Sequence, residues 1–560
     1  MAVSPRHVPL ASLGTLLLAA AVLSGDTPKV EVRSARVAMA DGVRLATDVY
    51  LPADGKPPYP TILLRTPYNK ASGKGIADGL CARGYAVVVQ DMRGRFASEG
   101  KAAIIFGNEG IGGEHHDGHD TLRWIAKQYW SDGQVVTMGG SALGIAQNMA
   151  APGAPEALKG QVVTAAFSDY YHQAAYQGGV WRKEMVEGWL KDTKLEEVNL
   201  PTFLGHPTYD DFWRGLSAEA RAEQVNAPGL FIGGWYDVFL QGTINSFTAI
   251  QRRGGPIARG RCLLVIAPTA HGPFTQKVMY PGITQAPLNY AAPLDLLDHW
   301  LRGARNGAEK LKPVHYYVMG DTDDRKASGN FWRSAAGWPP PATATPFYLR
   351  ADGALGKAKP EGEGRLTYKY DPEDPVPTVG GQNLRISRGP MDQRKVESRP
   401  DVLVFTTEPL TAPVEVTGRV KARLYVSSDC PDTDFTVKLC DVYPDGRSML
   451  VTDGIRRASL RDGFSRREPL VRDQVYEVEV DLWSTSLVFN EGHRIRVAVS
   501  SSNAPRFEPN ANTGAAHPEA GKTRVAANTV YLSAAHPSHV LLPIYAGPDA
   551  GGGKGAEKPR

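Results

Sequence analysis

The stretch GQVVTMGGSALG, from Gly133 to Gly144, decides the fold of this chain. An apolar strand runs into a turn of small residues at Ser141, and a helix begins directly after the turn. Such a strained turn tolerates only small neighbours, since a bulky side chain would collide with the strand or the helix. The turn exposes the serine hydroxyl at the carboxyl edge of a sheet, with a helix N-terminus behind it. By itself a Gly-Gly-Ser turn is more often a plain loop, so a nucleophilic role for Ser141 rests on the rest of the chain.

Strands and helices alternate on both sides of this turn. Before it, a hairpin is followed by apolar strands at 60–68 and 84–94, and after it apolar strands recur at 229–237 and 262–272. With helices between them, these strands predict a parallel sheet with helices on its faces, an α/β fold of the α/β-hydrolase type. Between 172 and 226 the pattern is interrupted by helices rich in Trp and Tyr, which predicts an inserted helical cap. The predicted units are a first part of the core at 26–150, the cap at 151–228 and a second part of the core at 229–337.

The pattern changes beyond a Pro- and Gly-rich connection at 338–381. From there apolar and polar residues alternate with a period of two, in strands such as 414–428 and 493–502 with turns between them. Many short alternating strands without helices predict an all-β sandwich or jelly roll, which we place at 382–546. The Gly-rich tail at 547–560 is predicted to be disordered.

Two candidate partners of Ser141 follow it in the chain order that is typical of α/β-hydrolases. Asp237 comes directly after the strand GLFIGGWY, and His271 comes directly after the strand CLLVIAPTA. Taken alone, either residue is better explained as a capping Asp or a hydrogen-bonded loop His. Position and order together favour a catalytic triad, in which Ser141 attacks an acyl carbonyl, His271 moves the proton and Asp237 orients the imidazolium.

Longer motifs make the chain resemble the serine hydrolases that include cocaine esterase, α-amino-acid ester hydrolases and X-Pro dipeptidyl-peptidases. The motifs are RTPYNK, DMRGRFASEG, EHHDGHDTLRWIAKQYWSDGQV, GGSALG, GGWYD, PTAHG, DHWLRG and YDPEDPVPTVGG, and they span nearly the whole chain after its N-terminal segment. The resemblance implies an α/β-hydrolase core, a helical cap and a C-terminal galactose-binding-like jelly roll, with no metal or other cofactor. It places the triad on Ser141, Asp237 and His271, and the oxyanion hole on the Tyr68 hydroxyl and the Ala142 backbone N–H.

Departures from the family pattern change the expected substrate pocket. The family usually has Tyr after the nucleophile, where this chain has Ala142, and Gly-Pro-Trp before the His, where this chain has smaller residues at 267–270. The carboxylates that hold a substrate ammonium in the α-amino-acid ester hydrolases follow the catalytic Asp, and here those positions are Val238, Phe239 and Leu240. An uncharged or bulky acyl group is therefore expected. Cap aromatics are candidates for lining the acyl site, with core packing as the commoner outcome at helical spacing: Trp181, Trp189, Phe212 and Trp213. The candidate pocket residues are Asp169, Trp181, Trp235 and Phe239, with a turn or capping role as the alternative for Asp169.

The sequence thus predicts a serine hydrolase that cleaves carboxylic esters, with amides left open, through an acyl-enzyme intermediate. One alternative is an X-Pro dipeptidyl aminopeptidase, which needs an acidic site for the peptide N-terminus. A second is a non-catalytic exported protein that binds carbohydrate through its β domain. The expected partner is a small-molecule ester or a short peptide, and the oligomeric state is left open, a homo-oligomer included.

A cluster of His and Asp superficially resembles a metal site. It lacks a distant fourth ligand at a recognised spacing, and its last member is placed to cap a helix, so we predict no metal there. The cluster comprises His115, His116, Asp117, His119 and Asp120.

The N-terminal segment carries an apolar run from Leu10 to Leu23 behind Arg6 and His7. Its length suits the apolar region of a signal peptide and is short for a bilayer span, so we predict a signal peptide at 1–25 and an exported protein, periplasmic or secreted. An uncleaved anchor is the alternative. The 63 Lys and Arg are scattered and balanced by 59 Asp and Glu, which argues against a nucleic-acid surface. No other segment is apolar enough for a membrane.

Overall fold

The computed structural model describes residues 29–286, 292–324 and 326–547. The predicted signal peptide at 1–25 and all but the first residue of the predicted disordered tail lie outside these residues. Within them, no helix has both the length and the apolar character that a bilayer crossing requires.

Strands dominate the described residues, with helices concentrated before residue 303. The strands are β1 (Val30–Ala38), β2 (Arg44–Pro52), β3 (Tyr59–Thr66), β4 (Ala86–Asp91), β5 (Ser131–Gly140), β6 (Leu158–Thr164), β7 (Tyr176–Gln177), β8 (Val180–Trp181), β9 (Gly229–Tyr236), β10 (Leu263–Ala270), β11 (Val314–Val318), β12 (Phe331–Ala335), β13 (Ala342–Leu349), β14 (Leu355–Gly356), β15 (Arg365–Tyr370), β16 (Leu403–Thr406), β17 (Val414–Ser428), β18 (Asp434–Val442), β19 (Ser448–Arg457), β20 (Tyr476–Phe489), β21 (Arg494–Ser500), β22 (Ala526–Tyr531) and β23 (His539–Tyr545). The helices are α1 (Lys74–Cys81), α2 (Asp117–Ala126), α3 (Ala142–Ala150), α4 (Lys183–Asp192), α5 (Glu196–Gly205), α6 (Asp211–Gly215), α7 (Leu240–Arg253), α8 (Ala292–Arg302) and α9 (Arg394–Glu397).

A ten-stranded sheet forms the centre of the core, in the order β1-β2-β4-β3-β5-β6-β9-β10-β11-β12. The strands from β4 to β11 along this order are parallel to their neighbours, whereas β1, β2 and β12 pair in antiparallel fashion. All six residues of β4 and all eight of β9 are buried, because helices cover both faces of the sheet. Their carboxyl ends meet at one edge, where a parallel sheet places its ligand site.

The two faces of this sheet can be told apart from alternate residues of β3. Ile62 and Leu64 pack in one buried cluster with residues of α1 and α8, whereas Leu63 packs in another with Leu122 and Ile125 of α2. Successive side chains of a strand point to opposite faces, so α1 and α8 lie on one side of the sheet and α2 on the other.

The central sheet extends into the range predicted for the cap. Strand β6 lies within 151–228 and pairs in parallel with β5 and β9, so the inserted unit begins after it, with the hairpin of β7 and β8 and the helices α4 to α6. The sequence LKGQVVT has only two adjacent apolar β-branched residues, Val162 and Val163, which is too little to distinguish it from a loop.

The C-terminal region contains a seven-stranded sheet and a four-stranded sheet. The strands of the seven-stranded sheet pair in antiparallel fashion, with β17 contacting β20, β22 and β23, and the smaller sheet has the order β16-β21-β18-β19. The range 338–381, predicted to be a connection, contributes β13, β14 and β15 to the larger sheet. The sequence pattern did not predict β13 because the strand contains Pro346, which cannot donate a backbone hydrogen bond. The proline is tolerated because β14 pairs only with Tyr348 and Leu349, so at Pro346 the strand is hydrogen-bonded on the β23 side alone.

Candidate active site

Ser141 sits in the turn between β5 and α3. Its backbone has φ 55° and ψ −124°, a strained conformation for a residue with a side chain, and its N–H donates to the Thr164 carbonyl at 2.9 Å. The turn closes only around small residues: a Cβ on Gly139, where φ is 148°, would overlap the Leu143 side chain, and one on Gly144 would lie 2.9 Å from the Ala166 Cβ. The local sequence therefore forces the serine side chain out of the sheet edge.

The side chains of Ser141, His271 and Asp237 form a continuous hydrogen-bonded relay. His271 Nε2 lies 3.0 Å from Ser141 Oγ, and His271 Nδ1 lies 2.8 Å from Asp237 Oδ2. Asp237 and His271 are 3% and 5% exposed, so the ion pair that forms when the imidazole accepts a proton is shielded from water. The arrangement is the one that makes a serine hydroxyl nucleophilic.

Further bonds hold the two partners of the serine in place. The Phe239 backbone N–H donates to Asp237 Oδ1 at 2.8 Å, which leaves Oδ2 directed at the imidazole. Arg388, from the segment between β15 and β16, donates from Nη1 to the His271 carbonyl at 2.9 Å and to the Leu384 carbonyl at 2.9 Å. The C-terminal region thus fixes the loop that carries His271.

Tyr68 stands beside the nucleophile, shortly after β3. Its hydroxyl oxygen accepts a hydrogen bond from Trp189 Nε1 at 2.8 Å, which leaves the phenolic proton free to be donated. The residue is 38% exposed, yet the atoms packed around its hydroxyl displace water and raise the pKa of Tyr68. Hydrogen bonds with Trp189 and Ser141 oppose that shift. The backbone N–H of Ala142, directly after Ser141, is the first of α3 and has no acceptor within the helix.

An apolar cavity opens at Ser141 and encloses about 470 Å³ of atom-free space, its opening to solvent included. Helix α4 of the cap supplies one wall, and Leu384 from the C-terminal region closes another. None of the lining side chains carries a formal charge: they are Phe106, Ser141, Ala142, Ile145, Phe167, Tyr170, Ala174, Met185, Val186, Trp189, Leu190, Phe203, Phe239 and Leu384.

Only one of the four predicted pocket residues, Phe239, lines this cavity. Trp181 is fully buried within the cap and donates from Nε1 to Glu187. Trp235 is a buried residue of β9 and donates from Nε1 to the Tyr317 carbonyl at 2.7 Å. Asp169 faces a separate polar cavity and accepts from the His172 backbone N–H. The structure therefore places these three side chains away from the cavity at Ser141: Trp181 packs in the cap core, Trp235 belongs to β9 of the central sheet, and Asp169 serves a turn.

Of the remaining cap aromatics, Trp189 lines the cavity and Trp213 is buried in the cap core, while Phe212 stacks on His206. The sequence did not single out Phe106, Phe167, Tyr170 or Leu384, which come from loops and from a distant part of the chain. Phe106 has a positive φ of 68° in a Gly-rich loop, an unusual backbone that the residue letters do not reveal.

The side chains of the His and Asp cluster near α2 make hydrogen bonds and ion pairs with other parts of the core. His116 and His119 contact the carbonyls of Gly110 and Ala150, and Asp117 pairs with Arg93. Asp120 does not cap α2 but accepts from the Ala40 backbone N–H, since the helix already begins at Asp117. In the ranges covered by the structure, no group of three or more His, Cys, Asp or Glu is placed to hold a metal ion.

Comparison with known proteins agrees with this architecture. Residues 41–201 and 188–273 match the X-Pro dipeptidyl-peptidase (S15 family) model, and residues 306–541 match the X-Pro dipeptidyl-peptidase C-terminal non-catalytic domain. Cocaine esterase of Rhodococcus sp. (strain MB1 Bresler) is 36% identical, over 91% of this chain and 97% of that protein.

Two solved structures extend the likeness to three dimensions. An α-amino acid ester hydrolase is 26% identical with a TM-score of 0.78, over 94% of this chain and 98% of the other. An aminopeptidase from the marine sediment archaeon Thaumarchaeota archaeon is 25% identical with a TM-score of 0.79, over 93% and 98%. The protein is accordingly a serine ester hydrolase with an α/β-hydrolase core and an all-β C-terminal domain. By sequence and by fold, the chain belongs to the family of α/β-hydrolases that includes cocaine esterase, the α-amino-acid ester hydrolases and the X-Pro dipeptidyl-peptidases.

Proposed function

We propose that this enzyme hydrolyses carboxylic esters with an uncharged, apolar acyl group, through an acyl-enzyme on Ser141. One observation carries the proposal: the relay from Asp237 through His271 to Ser141 opens onto a cavity whose lining side chains are uncharged. An apolar cavity of this kind stabilises a hydrocarbon acyl group by removing it from water, at about 0.8 kcal/mol for each buried methylene.

In the first half-reaction, Ser141 Oγ attacks the ester carbonyl while His271 Nε2 accepts the hydroxyl proton. Asp237 Oδ2 accepts from Nδ1–H, which fixes the imidazole tautomer and stabilises the imidazolium. When the tetrahedral intermediate collapses, the C–O bond to the alcohol breaks and His271 returns the proton to the leaving alkoxide. Water then repeats the sequence on the acyl-enzyme, and the carboxylic acid leaves.

The developing alkoxide needs donors directed at it before the reaction begins. The Tyr68 hydroxyl and the Ala142 backbone N–H are the two candidates, and the bond from Trp189 uses an acceptor site of the tyrosine oxygen while leaving its proton available to the substrate. In a site depleted of water, such preorganised donors stabilise the transition state more than the ground state.

Among the side chains that line the cavity, no carboxylate is present to pair with a substrate ammonium. The positions after Asp237 are apolar, and Asp169 lies in the separate polar cavity, where protein donors already occupy it. Cleavage of X-Pro peptides, the alternative function, requires such a carboxylate near the acyl site. We therefore place the uncharged ester ahead of the peptide.

The test compares two acyl groups of nearly the same shape. A fluorophosphonate probe should label wild type but not Ser141→Ala, and p-nitrophenyl isobutyrate should be hydrolysed at least 10-fold more efficiently than the p-nitrophenyl ester of alanine, in which an ammonium replaces one methyl group. Across acetate, propionate and butyrate, kcat/KM should rise by up to roughly 4-fold per methylene. Absence of labelling at Ser141 would rule out an acyl-enzyme intermediate on this residue. Preference for the alanine ester, or faster cleavage of Gly-Pro-p-nitroanilide, would establish the peptidase instead.

A further inference from the structure

Arg95 lies in the loop that follows β4, and its side chain connects two other parts of the molecule. Its Nε donates to the Pro67 carbonyl at 3.1 Å, and its Nη2 donates to the Thr193 carbonyl at 2.8 Å. Both acceptors are main-chain oxygens, one in the core and one in the cap. The planar guanidinium holds its donors in a fixed fork, so it sets the distance between the two segments.

The two segments that Arg95 joins carry Tyr68 and Trp189, whose side chains are hydrogen-bonded to each other. Pro67 directly precedes Tyr68, and Thr193 follows α4, one turn after Trp189. The Trp189 Nε1–H bond to the Tyr68 oxygen at 2.8 Å and the two bonds of Arg95 therefore join the same two segments. A cation at the C-terminus of α4 is also favourable for the helix dipole.

The charge of Arg95 is not neutralised by a close carboxylate. Among the ion pairs of the described residues, none within 4.0 Å includes Arg95. Its electrostatic neighbours are Asp91 and Tyr68, and burial lowers the pKa of Arg95 from its ordinary value. Because this positive charge is near Tyr68 and has no close anion, it favours the negative charge that develops on the substrate oxygen to which Tyr68 donates.

We propose that Arg95 is a positioning residue for the oxyanion hole: by tying the Pro67 carbonyl to the Thr193 carbonyl, it holds the Tyr68 hydroxyl in the orientation that donates to the oxyanion. This inference rests on the proposed role of Tyr68. It assigns to the DMRGRFASEG segment a task in the chemical step rather than in substrate binding, because Arg95 does not line the acyl cavity.

A double-mutant cycle with Arg95→Met and Tyr68→Phe tests the proposal on p-nitrophenyl butyrate. Displacement of a catalytic group by about 1 Å costs up to about 100-fold, so Arg95→Met should lower kcat by about 10- to 100-fold and change KM by less than about 3-fold. In the Tyr68→Phe background the same substitution should lower kcat by less than about 3-fold, since the hydroxyl that it positions is already absent. Arg123→Met is the matched control and should leave kcat unchanged, because Arg123 is exposed and, within the described residues, forms its ion pair with Asp120.

Arg95→Lys keeps the charge but replaces the fork by one ammonium, and it covers the case in which the methionine variant fails to fold. Its kcat should fall between those of wild type and Arg95→Met, again only when Tyr68 is present. Equal losses in both backgrounds, or wild-type kcat for Arg95→Lys, would overturn the positioning role. If instead Tyr68→Phe alone has wild-type kcat, the proposed oxyanion hole fails, and that result is distinguishable from a failure of the inference about Arg95.

Discussion

Replacing Tyr68 by Phe removes a single oxygen from the site and leaves its surroundings in place. The phenyl ring can keep its edge contact with Trp189, whose ring centroid is 6.4 Å away. What disappears is the acceptor for Trp189 Nε1 and, in our proposal, one of two donors to the oxyanion. The substitution therefore probes transition-state stabilisation apart from acyl binding.

The expected loss follows from how the donors are arranged. Removing one oxyanion donor lowers kcat by about 100- to 1000-fold, which corresponds to about 2.7–4 kcal/mol. KM should change by less than about 3-fold, because Tyr68 is outside the set of side chains that line the acyl cavity. Trp189→Phe is the companion variant: it removes the N–H that donates to Tyr68 and places a smaller aromatic ring where the indole stacks on Phe106 at 5.9 Å. We expect it to cost no more than about 10-fold in kcat, since the Tyr68 proton is still present but less restricted.

The assay is steady-state hydrolysis of p-nitrophenyl butyrate over a pH range, with circular dichroism to confirm folding. Because desolvation raises the pKa of Tyr68 above the ordinary tyrosine value, the hydroxyl stays protonated through pH 9.5. The ratio of wild-type to Tyr68→Phe kcat should therefore be constant between pH 7 and pH 9.5. The reasoning is refuted by a kcat within about 3-fold of wild type, or by a loss that appears wholly in KM.

Three further outcomes follow from the site and its supports. Asp237→Asn should lower kcat on the same ester by about 10⁴-fold with the circular dichroism spectrum unchanged, because the amide favours the wrong tautomer of the imidazole; a loss below about 10-fold would contradict the relay. Gly139→Ala should reduce the free energy of unfolding in urea by more than about 2 kcal/mol, because the new Cβ overlaps Leu143 and φ is positive. The control Gly260→Ala, at φ 74° with open space around it, should reduce it by about 1 kcal/mol. Equal reductions would argue against the overlap. Burial lowers the pKa of His172 to about 4, below that of an unfolded His. Because the unfolded chain then binds the proton more readily, the free energy of unfolding should fall by about 2–3 kcal/mol as pH falls from 7.5 to 4.5. His172→Phe should abolish that part of the pH dependence in urea titrations, and an unchanged dependence would show that other groups cause it.

How far the sequence predicted the fold depended on how much apolar signal each strand carried. The core strands β4 and β9 are buried on both faces, so their apolar runs were unmistakable. Strand β6 has the same environment but only two adjacent valines, since a glycine that faces Trp300 and a buried glutamine take two of its inner positions, and the sequence pattern places it in the cap. Prediction therefore failed where contacts with distant residues, rather than local composition, select the strand. The signal peptide and the export that it implies stay predictions.

For the site, the sequence carries position where the residue directly follows a strand of the parallel sheet, as Ser141, Asp237 and His271 do, and the structure brings these three together. The carboxyl ends of the parallel strands β5, β9 and β10 lie at one edge of the sheet, so the residues that follow them are expected on the same side of the molecule. Trp189, Leu384 and Arg388 are brought in by the cap and by a segment more than a hundred residues beyond His271, and no spacing in the sequence records those approaches. Trp181 and Trp189 have similar sequence environments, and only packing decides that one fills the cap core while the other reaches Tyr68.

The proposed oxyanion hole depends on the cap in a way that a hole made only of backbone N–H groups does not. Ala142 is fixed by the turn between β5 and α3, but the orientation of the Tyr68 hydroxyl depends on Trp189 of α4. Helix α4 is in turn held from outside by Arg95 and by the contact of Arg385 with Asp192. A shift of α4 away from the core would leave the triad intact while removing the restraint on one donor. In this proposal the cap contributes to the chemical step as well as to acyl binding, so substitutions that loosen α4 at its outer end should lower kcat before they weaken substrate binding.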